Sequence, residues 1–188
     1  MPRGRRPTIP VAPGGRRRAA ATTASTHRHL RIRPATPADL AAINEVTLAA
    51  KAHWGYRAEL LAAWRDSLLT TPASLQTCPT LVAVTGASLV GVVQLDPSAE
   101  PCELVACWVA PVHMRRGIGG ALLSAALSAA ACAGHDEIHI DADPHAEPFY
   151  LAQRAMRVGS VLAPIDGQPD RVRPQLRLST RRQTPAPR

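Results

Sequence analysis

Between residues 30 and 178 apolar and polar positions follow two rhythms, and each change of rhythm marks an element. Leu30–Arg33 reads as a short strand stopped by Pro34. Thr36-Pro37-Ala38-Asp39 then reads as a helix start, with Thr36 as cap, Pro37 at the first helical position and an acid in the first turn. Leu40, Ile43, Val46 or Thr47, and Ala50 follow at helical spacing. A second helix is predicted from Tyr56 to Leu69, because Leu60, Leu61, Trp64 and Leu68 share one face before Pro72 closes it. Thr80–Thr85 and Leu89–Leu95 are rich in β-branched residues and are joined by Gly86-Ala87-Ser88, which predicts a hairpin. Glu103–Val109 is a third strand, followed by a helix from about Gly119 to Ala133 that Gly134 stops. Ile138–Asp141 reads as a strand, Ala146–Ala155 as a short helix, and Met156–Leu162 and Val172–Leu178 as the last two strands. The order predicts a mixed α/β domain built around a single sheet.

With 188 residues, the chain has room for one domain with a substantial core. No apolar run approaches the roughly 20 residues that cross a bilayer, and no h-region follows the charged N-terminus, so a soluble, cytoplasmic protein is expected. The four cysteines form no CxxC pair and no ligand-like spacing, which points to reduced, mostly buried thiols and no metal. The net charge of +8 suggests a nucleic-acid partner until it is divided along the chain. Residues 1–29 and 179–188 are rich in Arg, Pro and Ala without apolar periodicity and read as disordered basic tails, or at the N-terminus as translation from an upstream start. Residues 30–178 form the expected domain and are slightly acidic, so no basic groove that tracks phosphate backbones is implied.

Residues 113–120, HMRRGIGG, place three glycines and two arginines between a strand and a helix. A glycine-rich turn that opens a helix leaves backbone N–H groups without intrahelical partners, backed by the positive end of the helix dipole. Such a place binds phosphate. The stretch is no Walker loop, since no Gly-Lys-Ser/Thr follows, and GIGG lacks the dinucleotide-binding spacing.

WVAPVHMRRGIGGALL resembles the signature of the GNAT superfamily of N-acetyltransferases, and AHWGYRAELLAAW (52–64) and DPHAEPFY (143–150) resemble segments of a bacterial branch of it. The resemblance covers about residues 30–178 and implies the GNAT acyl-CoA N-acyltransferase fold, an α/β mixed sheet in a single domain. It implies acetyl-CoA as co-substrate, its pyrophosphate held by backbone amides of Arg115, Arg116, Gly117, Ile118, Gly119 and Gly120, and its pantetheine arm beside Trp108 and Val109. Met114 stands in the slot that the signature fills with Gln or Arg, and the main-chain donors do not depend on that side chain. By the same resemblance, Tyr150 is the general acid that protonates the departing thiolate.

Glu103, directly or through water, is the first candidate for the base, with His53 or a solvent water chain as alternatives. His53, Trp54 and Tyr56 join the first two helices and are expected to shape the acceptor site, against the alternative of a staple between helices. Asp143, His145 and Glu147 border the other wall, and Glu103, Asp141 and Asp143 would suit a cationic amine. Ala155 replaces the Gly usual after the short helix, which matters if that position needs a positive φ. The expected activity is acetyl transfer to an amino group of a small molecule or protein. The alternative is a catalytically degenerate GNAT fold that binds CoA as a sensor or serves as an interaction module. Edge strands near the C-terminus suit a homodimer.

Overall fold

A computed structural model describes residues 30–181, so the tail readings at 1–29 and at 182–188 lie outside the described residues. Seven strands form one sheet in the order β1-β2-β3-β4-β5-β7-β6. They are β1 (Leu30–Pro34), β2 (Thr80–Thr85), β3 (Ser88–Asp96), β4 (Glu103–Val109), β5 (Glu137–Asp141), β6 (Met156–Leu162) and β7 (Val172–Ser179). The helices are α1 (Leu40–Ala52), α2 (Ala58–Leu68), α3 (Pro72–Thr77), α4 (Ile118–Cys132) and α5 (Glu147–Ala152). This is the mixed α/β architecture that the hydrophobic rhythm predicts. Every neighbouring pair is antiparallel except β4 and β5, which run parallel and pair at a single register, Glu103 with His139. Beyond Glu103 the two strands separate.

Two apolar layers hold the sheet between helices. Ile118, Leu122, Leu123, Ala126 and Ala130 of α4 pack on one face against Ala83, Val93, Leu95 and Leu104. On the other face Ile43 of α1 meets Val82, Val84 and Val92, with Trp108 at the margin. β4 therefore sends Cys107 toward α4 and Trp108 toward α1, the alternation a strand requires. A bulge interrupts the β3–β4 ladder after Gln94, and it leaves Val105 outside the register and half exposed.

Several boundaries differ from the sequence reading. Pro72 does not close α2 so much as open α3: Thr71 caps it, accepting from the Ser74 N–H at 3.0 Å while Ser74 Oγ accepts from the Thr71 N–H at 3.0 Å. With Thr71 before it and Ser74 two residues after it, Pro72 marks a helix start and not a stop. α2 begins at Ala58, because Gly55 at φ +75° ends the preceding turn and Tyr56 is drawn to Asp143 before the helix resumes. The short helix predicted over 146–155 is α5 with a 3-10 turn, Pro144–Ala146, in front of it. Its left-handed residue is Arg154 (φ 68°), not Ala155; the Ala155 N–H reaches back to the Tyr150 carbonyl at 3.0 Å and its methyl is buried. β6 forms the sheet edge, with every residue exposed, Met156 and Leu162 the most exposed of its large apolar side chains. At the C-terminal end the Thr180 hydroxyl donates to the His135 carbonyl at 2.7 Å and the Thr180 N–H to the Asp136 carbonyl at 2.9 Å. Among the described residues no helix is long and apolar enough to cross a membrane.

Candidate active site

The turn into α4 has the backbone that an anion cradle needs. Arg115 (φ 60°) and Gly117 (φ 80°) both adopt left-handed conformations, and no side chain caps the helix at Gly117. The first intrahelical bond runs from the Ala121 N–H to the Gly117 carbonyl at 3.0 Å, so the Ile118, Gly119 and Gly120 N–H groups have no intrahelical acceptor. A Cβ on Gly117 would meet nothing within 4 Å, whereas one on Gly119 would sit 3.2 Å from the Phe149 ring and 3.8 Å from Val109. Gly119 is thus the point where α5 and the end of β4 close on the turn. The predicted cradle, Arg115 through Gly120, and Val109 come together here. Trp108 does not join them: its indole points to the α1 face.

On that face a cavity of about 400 Å³ lies between α2, β4, the end of β5 and β7. Its polar heart is Asp143. Lys51 Nζ donates to Asp143 Oδ2 at 2.5 Å, Tyr56 Oη lies 3.0 and 2.9 Å from the two carboxylate oxygens, and the His145 N–H donates to Oδ1 at 3.0 Å. Arg171 Nη2 donates to Tyr56 Oη at 3.1 Å and lies 3.7 Å from Asp143 Oδ2. Lys51, Asp143 and Arg171 side chains are only 9%, 8% and 7% exposed. The Lys51 ammonium also lies 4.6 Å from the Tyr56 ring centre and 4.7 Å from that of Trp64. Burial pushes the Asp143 carboxyl up, but the hydrogen bond and charge of Lys51, with the His145 N–H and Tyr56 hydroxyl, hold it below the usual carboxylate value. For Tyr56 burial dominates, and its phenol is raised.

Two carboxylates that the sequence offered to a cationic ligand are therefore already engaged. Asp143 is taken by Lys51 and Tyr56, and Asp141 accepts Arg173 at 2.8 Å. Glu103 alone lines the cavity without an ion pair among the described residues. His53 is exposed, Trp54 stacks on His145 with ring centres 5.4 Å apart, and Tyr56 stands behind Lys51 and Trp64. These three residues do not line the cavity; Lys51, Trp64 and Arg171 do, and the sequence reading missed them. A signal for Lys51 was present, since it is the only lysine in a chain with 21 arginines.

Tyr150 approaches from the α4 face. Its ring is buried, meets Phe149 edge-on at 5.0 Å, and its hydroxyl lies against the Cys107 thiol of β4. Burial, then the neighbouring Cys107 and Asp143, push the phenol well above its ordinary value. The thiol of Cys107, a partly buried residue, is pushed up by desolvation to about 12. Both groups keep their protons across the physiological range. Among the described residues no group of three or more His, Cys, Asp and Glu side chains is placed to hold a metal ion.

A sheet that opens between two parallel strands, with an uncapped glycine-rich helix start beside the opening, defines an acyl-CoA transferase type of fold. The chain belongs to the acetyltransferase (GNAT) family, whose model matches residues 45–155. No curated protein matches the sequence. Among solved structures, a GCN5-related N-acetyltransferase from Rhodopseudomonas palustris is 22% identical and superposes with a TM-score of 0.68 over 79% of this chain and 94% of that one. The PaiA N-acetyltransferase of Thermoplasma acidophilum, solved with coenzyme A, is 19% identical, with a TM-score of 0.61 over 80% and 99% of the two chains. A GNAT family acetyltransferase of Brucella melitensis, solved with acetyl-CoA, is 21% identical, with a TM-score of 0.51 over 85% and 93%. At these identities the likeness is one of fold.

Proposed function

We propose that the protein transfers an acetyl group from acetyl-CoA to an amine bound in the cavity before β4. The observation that carries this reading is the gap between β4 and β5 beyond Glu103, which lies between the uncapped start of α4 and the charged cavity. The free amides of Ile118, Gly119 and Gly120, with Arg115 and Arg116 at the rim, suit a pyrophosphate. The unpaired edge of β4 near Val109 suits the amide groups of a pantetheine arm. When bound, the thioester supplies an activated acetyl carbon. Glu103, directly or through water, takes a proton from the acceptor ammonium, so that nitrogen has a lone pair to form the new C–N bond. As the C–S bond breaks and its electron pair leaves on sulfur, Tyr150 gives its proton to the thiolate and regains one from solvent. The nitrogen's second proton passes to solvent as the amide forms and Glu103 gives up the first, so with the one that Tyr150 regains each turnover releases one proton. A phenol raised by burial keeps its proton at physiological pH and so has it to give when the thiolate departs beside it.

Isothermal titration with acetyl-CoA, beside CoA and ATP, tests the reading. Micromolar binding of acetyl-CoA and CoA with none of ATP, weakened when Gly117 is replaced by Val, is the expected result. No binding of acetyl-CoA would refute it.

A further inference from the structure

The charges lining the cavity do not cancel where they are buried. Asp143 is shared by two cations, Lys51 and Arg171, while Arg173 has its own partner in Asp141. One surplus positive charge therefore sits at the α1–β7 end of the cavity, on side chains less than a tenth exposed. Burying such a surplus is unfavourable unless an anion answers it. Asp143 is nearly saturated, since three of its roughly four acceptor sites are taken by Lys51, Tyr56 and the His145 N–H. The cations have capacity left: Lys51 uses one of its three N–H groups, and Arg171 gives one to the Ala163 carbonyl at 3.0 Å and one to Tyr56 out of five. The remaining uncompensated group on the cavity wall is the opposite in sign, Glu103 on β4.

From this we infer that the acceptor carries a carboxylate as well as its amine, and that it is a free amino acid. The inference rests on the acetyl-transfer reading. The carboxylate docks on Lys51 and Arg171, and the amine is turned to Glu103 and the gap between β4 and β5. A cavity of about 400 Å³ has the size of a small-molecule site, and Trp64, Leu68, Trp108 and Ile165 give the amino acid's side chain an apolar wall.

The test is calorimetric titration of the CoA-saturated protein with the twenty amino acids and with their carboxamides, which keep the amine and lose the charge. At least one free acid is expected to bind about ten- to a hundred-fold more tightly than its amide, the range set by hydrogen bonds to a charged group. Arg171→Gln should erase that preference while acetyl-CoA affinity stays at the parent value, and Arg171→Lys should keep most of it. Amides binding as tightly as acids, no free acid binding, or a preference that survives in Arg171→Gln would each overturn the proposal. The acid-to-amide ratio of the parent decides the matter alone if Arg171→Gln does not fold. A protein that never binds acetyl-CoA would overturn the transfer reading and this one with it, an outcome distinct from amides that bind beside bound CoA.

Discussion

Asp143→Asn removes the only carboxylate between two buried cations, and the structure sets the size of the effect. In the parent protein Lys51, Asp143 and Arg171 sum to one positive charge; in the variant the same three positions sum to two, with no other ion-pair partner for Lys51 or Arg171 among the described residues. Removing one partner of a buried ion pair costs about 3–5 kcal/mol. For a domain of this size that is a fall in Tm of roughly 10 °C. Lys51→Met should be milder, below about 2 kcal/mol, since it loses one charge-assisted bond but leaves Asp143 facing Arg171 as a neutral pair. The double variant keeps only Arg171 and restores the parent's net charge, so it should be more stable than Asp143→Asn alone. Urea unfolding of the four proteins closes the cycle. Acid gives an independent readout. The folded carboxyl of Asp143 lies below its ordinary value, so its contribution is complete above the unfolded pKa of ~4 and is lost as pH falls through the folded one. The parent should lose stability on acidification more steeply than Asp143→Asn. An Asp143→Asn protein within about 1 kcal/mol of the parent at neutral pH, or a Lys51→Met protein that is the less stable of the two, would refute the charge argument.

The two glycines of the cradle should separate strain from crowding. Gly117→Ala strains a φ of +80° in open space and costs about 1 kcal/mol of stability, while Gly119→Ala places a methyl 3.2 Å from Phe149, displaces the ring that packs on Tyr150, and should lower kcat more than Gly117→Ala does. Steady-state kinetics with thermal melts distinguishes them. Tyr150→Phe should reduce kcat by about 10²–10⁴ with a stability change under about 1.5 kcal/mol, and because the phenol is raised, the parent's rate should show no alkaline fall from Tyr150 below pH ~10. Leu122→Ala, fully buried between α4 and the sheet, should cost about 2–5 kcal/mol in chemical unfolding and leave acetyl-CoA affinity unchanged.

The sheet and its helices were legible because each is coded locally. TLVAVT and LVGVVQL around Gly86 are placed to pair with each other, and β4 is bounded by Pro101 before it and Pro111 after it. The anion cradle was legible for the same reason: Arg115 to Gly120 is one continuous turn whose backbone makes the site. Errors fell where one residue type serves two purposes. Pro72 ends helices and starts them, and only the Thr71–Ser74 exchange of hydrogen bonds tells which. At the end of α5 the left-handed position falls on Arg154, one residue before the alanine that would otherwise bear the strain.

The acceptor end resisted reading for a different reason. Lys51 and Asp143 are 92 residues apart, and Tyr56 and Arg171 are 115 apart; no local pattern says that they share a cavity. Counting acids near the site left out the cations that answer them. Three carboxylates suggested a cationic ligand, yet the fold brings Lys51, Arg171 and Arg173 to the same wall, and of the cavity's acids only Glu103 is left without an ion pair among the described residues. Charge in a cavity is decided by pairing, not by composition. The lone lysine was the one exception, because a chain that otherwise uses arginine throughout has a reason for an ammonium at the end of α1. A compact ammonium fits between the Tyr56 and Trp64 rings and still reaches one carboxylate oxygen, where a planar guanidinium of different reach and shape would have to displace one of the rings. On that argument Lys51→Arg, which preserves the charge, should weaken amino-acid binding in the calorimetric panel nearly as much as Lys51→Met. Equal affinity in Lys51→Arg and the parent would show that charge alone, without the fit to the aromatic pair, is what the site requires.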